Sequence, residues 1–138
     1  GTVIAFDISV RRTDVMRFRR EASLLLAQRY PHLLVADFGH VGDGGLHFNL
    51  VWPHNCGTRC TAGAANDIRD DVYRLVVVGF GGSFSAEHGV GPHNLQHYRS
   101  YTDSQTLRMA SRLQRLLDPS RLSGSTYFGM PEPEVFHT

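Results

Sequence analysis

Two short stretches of this chain carry side chains whose types and spacing suit metal-assisted proton chemistry. The first is His40-Val41-Gly42-Asp43-Gly44-Gly45-Leu46-His47. Asp-Gly is a favoured two-residue hairpin turn, because both central residues of that turn take positive φ. With Asp43-Gly44 at the tip, Gly42 faces Gly45, Val41 faces Leu46 and His40 lies opposite His47. Opposed residues share a sheet face with Cβ atoms about 4.5–5.5 Å apart. Two imidazoles so placed could hold one divalent metal between them. Asn49 falls on the same face. The pair would serve equally as stacked polar side chains on a solvated face, and a longer turn would change the register.

The second stretch is Gly81-Gly82-Ser83-Phe84-Ser85-Ala86-Glu87-His88-Gly89-Val90-Gly91. Its glycines allow the backbone to approach a ligand closely. Glu87 offers a hard oxygen ligand, and His88 a group that exchanges protons near neutral pH. In extended backbone the two point opposite ways, so one could bind metal while the other faces substrate. A flexible connector is the plainer reading. Phosphate binding is disfavoured by the acidic residue in the loop.

The elements that must position these residues follow from periodicity. Val3–Val10 reads as a strand, and Thr13-Asp14 starts a helix carrying Val15, Phe18, Ala22 and Leu25 on one face. Strands are expected over His32–His40 and Leu46–Trp52. In the latter, Leu46, Phe48, Leu50 and Trp52 share one face, and His47 and Asn49 the other. Asn66 or Asp67 caps a helix with Ile68, Val72 and Leu75 on its apolar side, and Val76–Val78 leaves its end ambiguous. Gly79–Gly91 is irregular. Thr102 and Gln105 form a capping box for a helix with Leu107, Ala110, Leu113 and Leu117 on one face, stopped at Asp118-Pro119. The tail after Leu122 is expected to be irregular. The order β-α-β-β-α-loop-α predicts an α+β fold, an antiparallel sheet covered by helices.

Composition narrows the function classes. The 138 residues carry a net charge of +1, which gives no global pull toward nucleic acid or anionic membrane. The arginine-rich run around Arg17, Arg19 and Arg20 reads as the solvated face of a helix. No apolar run reaches the roughly 18–20 residues of a membrane span. All fourteen basic residues are arginine, so a Schiff-base or P-loop lysine cannot come from this chain. His54, Cys56 and Cys60 lie close in sequence, but they lack the fourth ligand and tight pairing of a structural zinc site. The chain opens Gly-Thr-Val without a methionine, which fits a piece of a longer protein.

The segment Phe38–Asn49 resembles the "GHxGDGNxHxN" motif of FAD-linked oxidases of the vanillyl-alcohol-oxidase superfamily. Gly81–Gly91 is similar to that family's "GGSxSxEHGxG". Leu117-Asp118-Pro119 sits where the family has "LDPxxxxNPGK", and Asp7-Ile8-Ser9-Val10 resembles the strand that opens this part of its C-terminal domain. The resemblance is to the D-lactate, glycolate and D-2-hydroxyglutarate dehydrogenase type. It implies that residues 1–138 are a partial, ferredoxin-like C-terminal substrate or cap domain, whose partner FAD-binding domain in the same protein is absent from this chain. It further implies a divalent metal, zinc or manganese first, on His40, His47 and Glu87. Asn49 would contact a small 2-hydroxy acid, and His88 would be the catalytic base while FAD takes the hydride.

The chain departs from the family pattern at Ala5, Arg11, Gly45, Pro92–Asn94 and Ser123–Thr126, positions that in relatives include contacts to substrate carboxylate or flavin. The metal triad and His88 are intact. The expected activity is oxidation of a 2-hydroxy acid to the 2-oxo acid, by the longer protein rather than by this chain alone. The alternatives are a non-catalytic metal- or carboxylate-binding module and a purely structural α+β domain. The expected setting is cytoplasmic, with membrane association only through an electron acceptor. Substrate, metal, acceptor and any homo-oligomer are left open.

Overall fold

The computed structural model describes residues 1–40, 42–124, 126 and 128. They fall into two compact units, Gly1–Gly89 and a second beginning at Val90. The first holds an antiparallel sheet of four strands: β1 (Thr2–Ile4), β2 (Asp7–Ser9), β3 (Leu34–Phe38) and β4 (Gly45–Trp52). β4 is central. β1 and β2 pair along one of its edges and β3 along the other.

The expected long first strand is therefore two short ones. They keep a common register, with Ile4 opposite Leu50 and Asp7 opposite His47, and Phe48 donates its N–H to Phe6 O between them at 3.0 Å. The alternation along β4 is borne out, since Leu46, Phe48, Leu50 and Trp52 are buried while the residues between them are half-buried. Period-2 burial follows from the pleat, which sends successive side chains to opposite faces.

Helix α1 (Val15–Arg29) follows a single 3₁₀ turn at Arg12–Asp14 and buries Val15, Phe18, Ala22 and Leu26. Phe18 meets Phe48 edge-on at 5.3 Å between ring centroids, and Phe80 at 5.5 Å. Helix α2 (Ala62–Arg74) buries Ile68, Val72 and Tyr73, and the Tyr73 ring packs edge-on against Phe6 at 5.3 Å. Both helices thus cover the apolar face of the sheet. The face carrying His47 and Asn49 stays outside that core.

Several local expectations are corrected. α2 starts earlier than Asn66, because Thr61 is its N-cap and accepts the Ala64 N–H at 3.1 Å. It runs into a π-helical turn at Leu75–Gly79, which resolves the ambiguous valine run and buries Val76. In the second unit an unexpected helix, α3 (Leu95–Tyr101), precedes α4 (Ser104–Leu117). The cap of α4 is Asp103 rather than Thr102: its carboxylate accepts the N–H groups of Gln105 and Thr106 at 2.9 and 3.0 Å. Leu107 is buried there, whereas Leu113 and Leu117 are exposed. Of the tail expected to be irregular, Ser125, Tyr127 and the residues after Phe128 lie outside the described residues, as does Val41, expected opposite Leu46.

Candidate functional site

The hairpin between β3 and β4 is longer than an Asp-Gly two-residue turn. Residues 39–44 make the connection, closed by Asp43 N–H and Gly44 N–H donating to His40 O at 3.0 and 3.2 Å. Phe38, not His40, consequently stands opposite His47. The register moves by two residues, and a shift of two preserves sidedness where a shift of one would reverse it. The His40 and His47 rings still approach edge to face, with centroids 5.9 Å apart. Gly44 is required at this turn. Its φ is +91°, and a Cβ there would lie 2.1 Å from Val10 O.

The Gly-rich loop after Gly79 runs beside β2. Ser9 and Ser83 exchange two backbone hydrogen bonds, of 3.0 and 2.9 Å, and Ala86 N–H donates to Asp7 O at 3.0 Å. This lays Glu87 and His88 next to β2, whose Asp7 already faces His47 across the sheet. The Asp7 carboxylate accepts the Glu87 and His88 N–H groups on the same oxygen, Oδ2, at 2.9 and 2.7 Å.

The side chains converge accordingly. His47 Nε2 lies 3.1 Å from Glu87 Oε1, and His47 Nδ1 lies 4.0 Å from Asp7 Oδ1. His88 stacks on His47 with centroids 5.4 Å apart and an interplanar angle of 22°, while Phe38 flanks the same ring at 5.0 Å. His88 Nδ1 is 3.8 Å from Asp7 Oδ2, and its Nε2 is 3.9 Å from Glu87 Oε1. Asp7 is 9% exposed. Burial pushes its carboxyl up, but the two backbone donors and the neighbouring His88 and His47 outweigh that and hold it below 3.8.

One ligand atom from each of Asp7, His47, Glu87 and His88 falls within 4.8 Å of all the others. Donors sharing one zinc-sized cation at about 2.0–2.2 Å lie within about 4.4 Å of each other, so small side-chain adjustments suffice. Two imidazoles with carboxylate oxygens form a donor set that suits zinc or manganese. The residues present therefore fit a divalent metal. A cavity of about 210 Å³ opens beside them, lined by Asp7, Ser9, His40, Asp43, His47 and Glu87 among others. His40 borders this cavity without joining the tight group. Asn49 shares the His47 face of β4, opposite Ala36, but neither it nor His88 lines the cavity.

His47, Glu87 and His88 are thus brought together as a group. Asp7 was not singled out by sequence reasoning. It entered only within the segment Asp7-Ile8-Ser9-Val10 that resembles the family, with no role in the site, and its further signal was a charge set within an apolar strand. His54, Cys56 and Cys60 form no comparable cluster among the described residues; Cys56 Sγ donates instead to Pro53 O at 3.1 Å.

The model of the family "FAD linked oxidases, C-terminal domain" matches residues 1–123, a span that includes both motif segments and every residue of the site. The chain belongs to this family. This FAD-linked oxidase C-terminal domain is 33% identical over 116 residues to D-2-hydroxyglutarate dehydrogenase of Xanthomonas citri pv. viticola, covering 84% of the chain and 24% of the relative. It is 29% identical over 114 residues to the protein of the same name from Stutzerimonas stutzeri, covering 83% and 24%. A probable mitochondrial D-2-hydroxyglutarate dehydrogenase of Oryza sativa subsp. japonica is 30% identical over 125 residues, covering 88% and 20%. The domain therefore spans about a quarter or less of the length of these relatives. No helix of the described residues is long and apolar enough to cross a membrane.

Proposed function

We propose that this chain is the substrate- and metal-binding C-terminal domain of an FAD-dependent dehydrogenase that oxidises a 2-hydroxy acid to the 2-oxo acid. The observation that carries this reading is the convergence of His47, Glu87 and His88 with Asp7 beside the cavity that His40 also borders. In it, His40, His47 and Glu87 hold the divalent metal, and Asn49 contacts the substrate from the same face of β4. The bound metal supplies positive charge that acidifies the substrate hydroxyl, and FAD, held mainly by a separate domain of the same protein, supplies the hydride acceptor.

His88 accepts the hydroxyl proton as the hydrogen on the substrate α-carbon leaves with its electron pair. Its place is set by the backbone bond to Asp7 and by the stack on His47. His88 is largely exposed, so its ring can meet a substrate arriving from outside the sheet. The relatives' name makes D-2-hydroxyglutarate the first substrate to try.

The test compares metal content and turnover in the FAD-containing full-length protein. His40→Ala and His47→Ala should lower bound zinc or manganese, measured by elemental analysis. His88→Ala should keep the metal and lose turnover by roughly 10²–10⁴-fold, the usual range for a general base. Metal lost in His88→Ala but kept in His40→Ala would reverse the assignment. Failure to bind either metal in the wild type would refute the metal-assisted reading.

A further inference from the structure

Resting on that reading, we infer that Asp7 is the positioning residue of the site: its carboxylate fixes the backbone of Glu87 and His88 and sets the tautomer of His47.

The geometry divides the carboxylate into two functions. Oδ2 takes both backbone donors of the loop, at 2.9 and 2.7 Å. Together with Ala86 N–H on Asp7 O, this makes three bonds from consecutive loop residues to one strand residue. The anchoring spans 80 residues of chain to Glu87, and it fixes to β2 a loop whose local bonds, such as Ser85 Oγ donating to Gly89 O at 2.7 Å, tie it only to itself. Oδ1 faces the other way, 4.0 Å from His47 Nδ1. At that range it acts on the ring as a charge, and a small rotation closes a hydrogen bond.

An anion facing Nδ1 favours the tautomer with hydrogen on Nδ1, leaving the lone pair on Nε2. Nε2 is the nitrogen directed at Glu87 Oε1, 3.1 Å away, where a shared cation would sit; with no cation between them, this nearer carboxylate draws the ring hydrogen to Nε2 and opposes Asp7. Carboxylates that hold the far nitrogen of a metal-binding histidine act in this way, orienting the ring and raising its basicity.

Asparagine separates the two functions. Two N–H donors converge on Oδ2, so an Asn at this position must put its carbonyl oxygen there, since its amide nitrogen would oppose both. The amide nitrogen is then forced toward His47 Nδ1 and donates to it. That favours hydrogen on Nε2, the tautomer with no lone pair for a metal. Asp7→Asn thus keeps the loop anchored while inverting His47.

The experiment measures the His47 ring nitrogens by ¹⁵N NMR at alkaline pH in the metal-free Glu87→Ala chain, which removes the carboxylate facing Nε2, with and without Asp7→Asn. Zinc titration by calorimetry and the visible spectrum of the cobalt(II)-loaded chain follow. In Glu87→Ala with Asp7 intact, His47 should carry its hydrogen on Nδ1, and with Asp7→Asn added, on Nε2. Zinc affinity should fall roughly 10–100-fold in Asp7→Asn with Glu87 intact, the usual effect of losing such a partner. The cobalt band should keep its position, because the ligands are unchanged.

Hydrogen on Nε2 in Glu87→Ala with Asp7 intact overturns the inference. A tautomer unchanged when Asp7→Asn is added, with zinc affinity unchanged in Asp7→Asn alone, overturns it as well. A displaced cobalt band overturns it in favour of Asp7 as a direct ligand. A wild type that binds no zinc refutes the proposed function, while the tautomer still decides the part played by Asp7.

Discussion

Arg19 on α1 grips Asp37 on β3 with two guanidinium nitrogens, Nη2 reaching Oδ1 at 3.0 Å and Nε meeting Oδ2. β3 pairs with β4 along one edge, so this clamp ties it to the helix that covers the core. Hydrogen bonds to charged groups are worth about 1.5–3 kcal/mol, and the part-exposed arginine reduces this to about 1 kcal/mol. Asp37→Asn should lower stability by about that amount at neutral pH. The Arg19 hydrogen bond holds the Asp37 carboxyl below 3.8 against the opposing effect of burial. A depressed carboxyl contributes stability above its unfolded value and loses it as pH falls through the lower folded value. Urea midpoints taken from about pH 5 to pH 2 should therefore converge for wild type and Asp37→Asn at the acid end. A constant gap would show that the charge is not what matters.

Tyr30, just past the end of α1, donates its hydroxyl to Asp71 Oδ2 on α2 at 2.6 Å. The same carboxylate pairs with Arg29 and accepts from Arg74 at 3.0 Å. Burial first, then the bond to Asp71 and its charge, push the Tyr30 hydroxyl up to about 12. A raised phenol contributes stability in full below its unfolded value of 10.0 and loses it as pH rises toward about 12. Tyr30→Phe should cost about 1 kcal/mol at neutral pH, and the difference should vanish at strongly alkaline pH. Unfolding followed by circular dichroism from about pH 8 to pH 12 checks this, and parallel curves over that range would contradict it.

Gly82 lies tight against β2. A Cβ there would lie 2.2 Å from Ser9 O and 3.1 Å from Val76 Cγ1. Backbone cannot yield as a flexible side chain does, so Gly82→Ala should push the loop away and carry Glu87 and His88 with it. The expected cost is about 1–3 kcal/mol, the range for overpacking, together with weaker zinc binding. Thermal unfolding and zinc titration of the same sample would show both losses. Full zinc affinity in a destabilised variant would mean that the loop is positioned by something other than its contact with Ser9.

Much of the site was legible because its signals are local. The alternation Leu46–Trp52 places His47 outside the core through the pleat alone, whatever pairs with the strand. Glycines flanking Glu87-His88 mark a loop able to lie flat on a neighbour, and Gly82 does so against Ser9. The helix carrying Phe18 and Ala22 was readable from spacing, since helical period and burial are both set within a few turns. Helix starts were less so. Thr61 and Asp103 prevailed over Asn66 and Thr102 because several nearby side chains can cap, and the surrounding packing selects among them.

By itself, then, the sequence determined the α+β class, the two motif segments, the family, and the sheet face on which His47 and Asn49 stand. Tertiary structure alone decided that Phe38 rather than His40 opposes His47, because the turn closes through hydrogen bonds to His40 O that Asp-Gly does not dictate. It alone decided the place of Asp7. Its carboxylate meets residues 80 and 81 positions away along the chain, and such a contact exists only once the loop has been laid against β2.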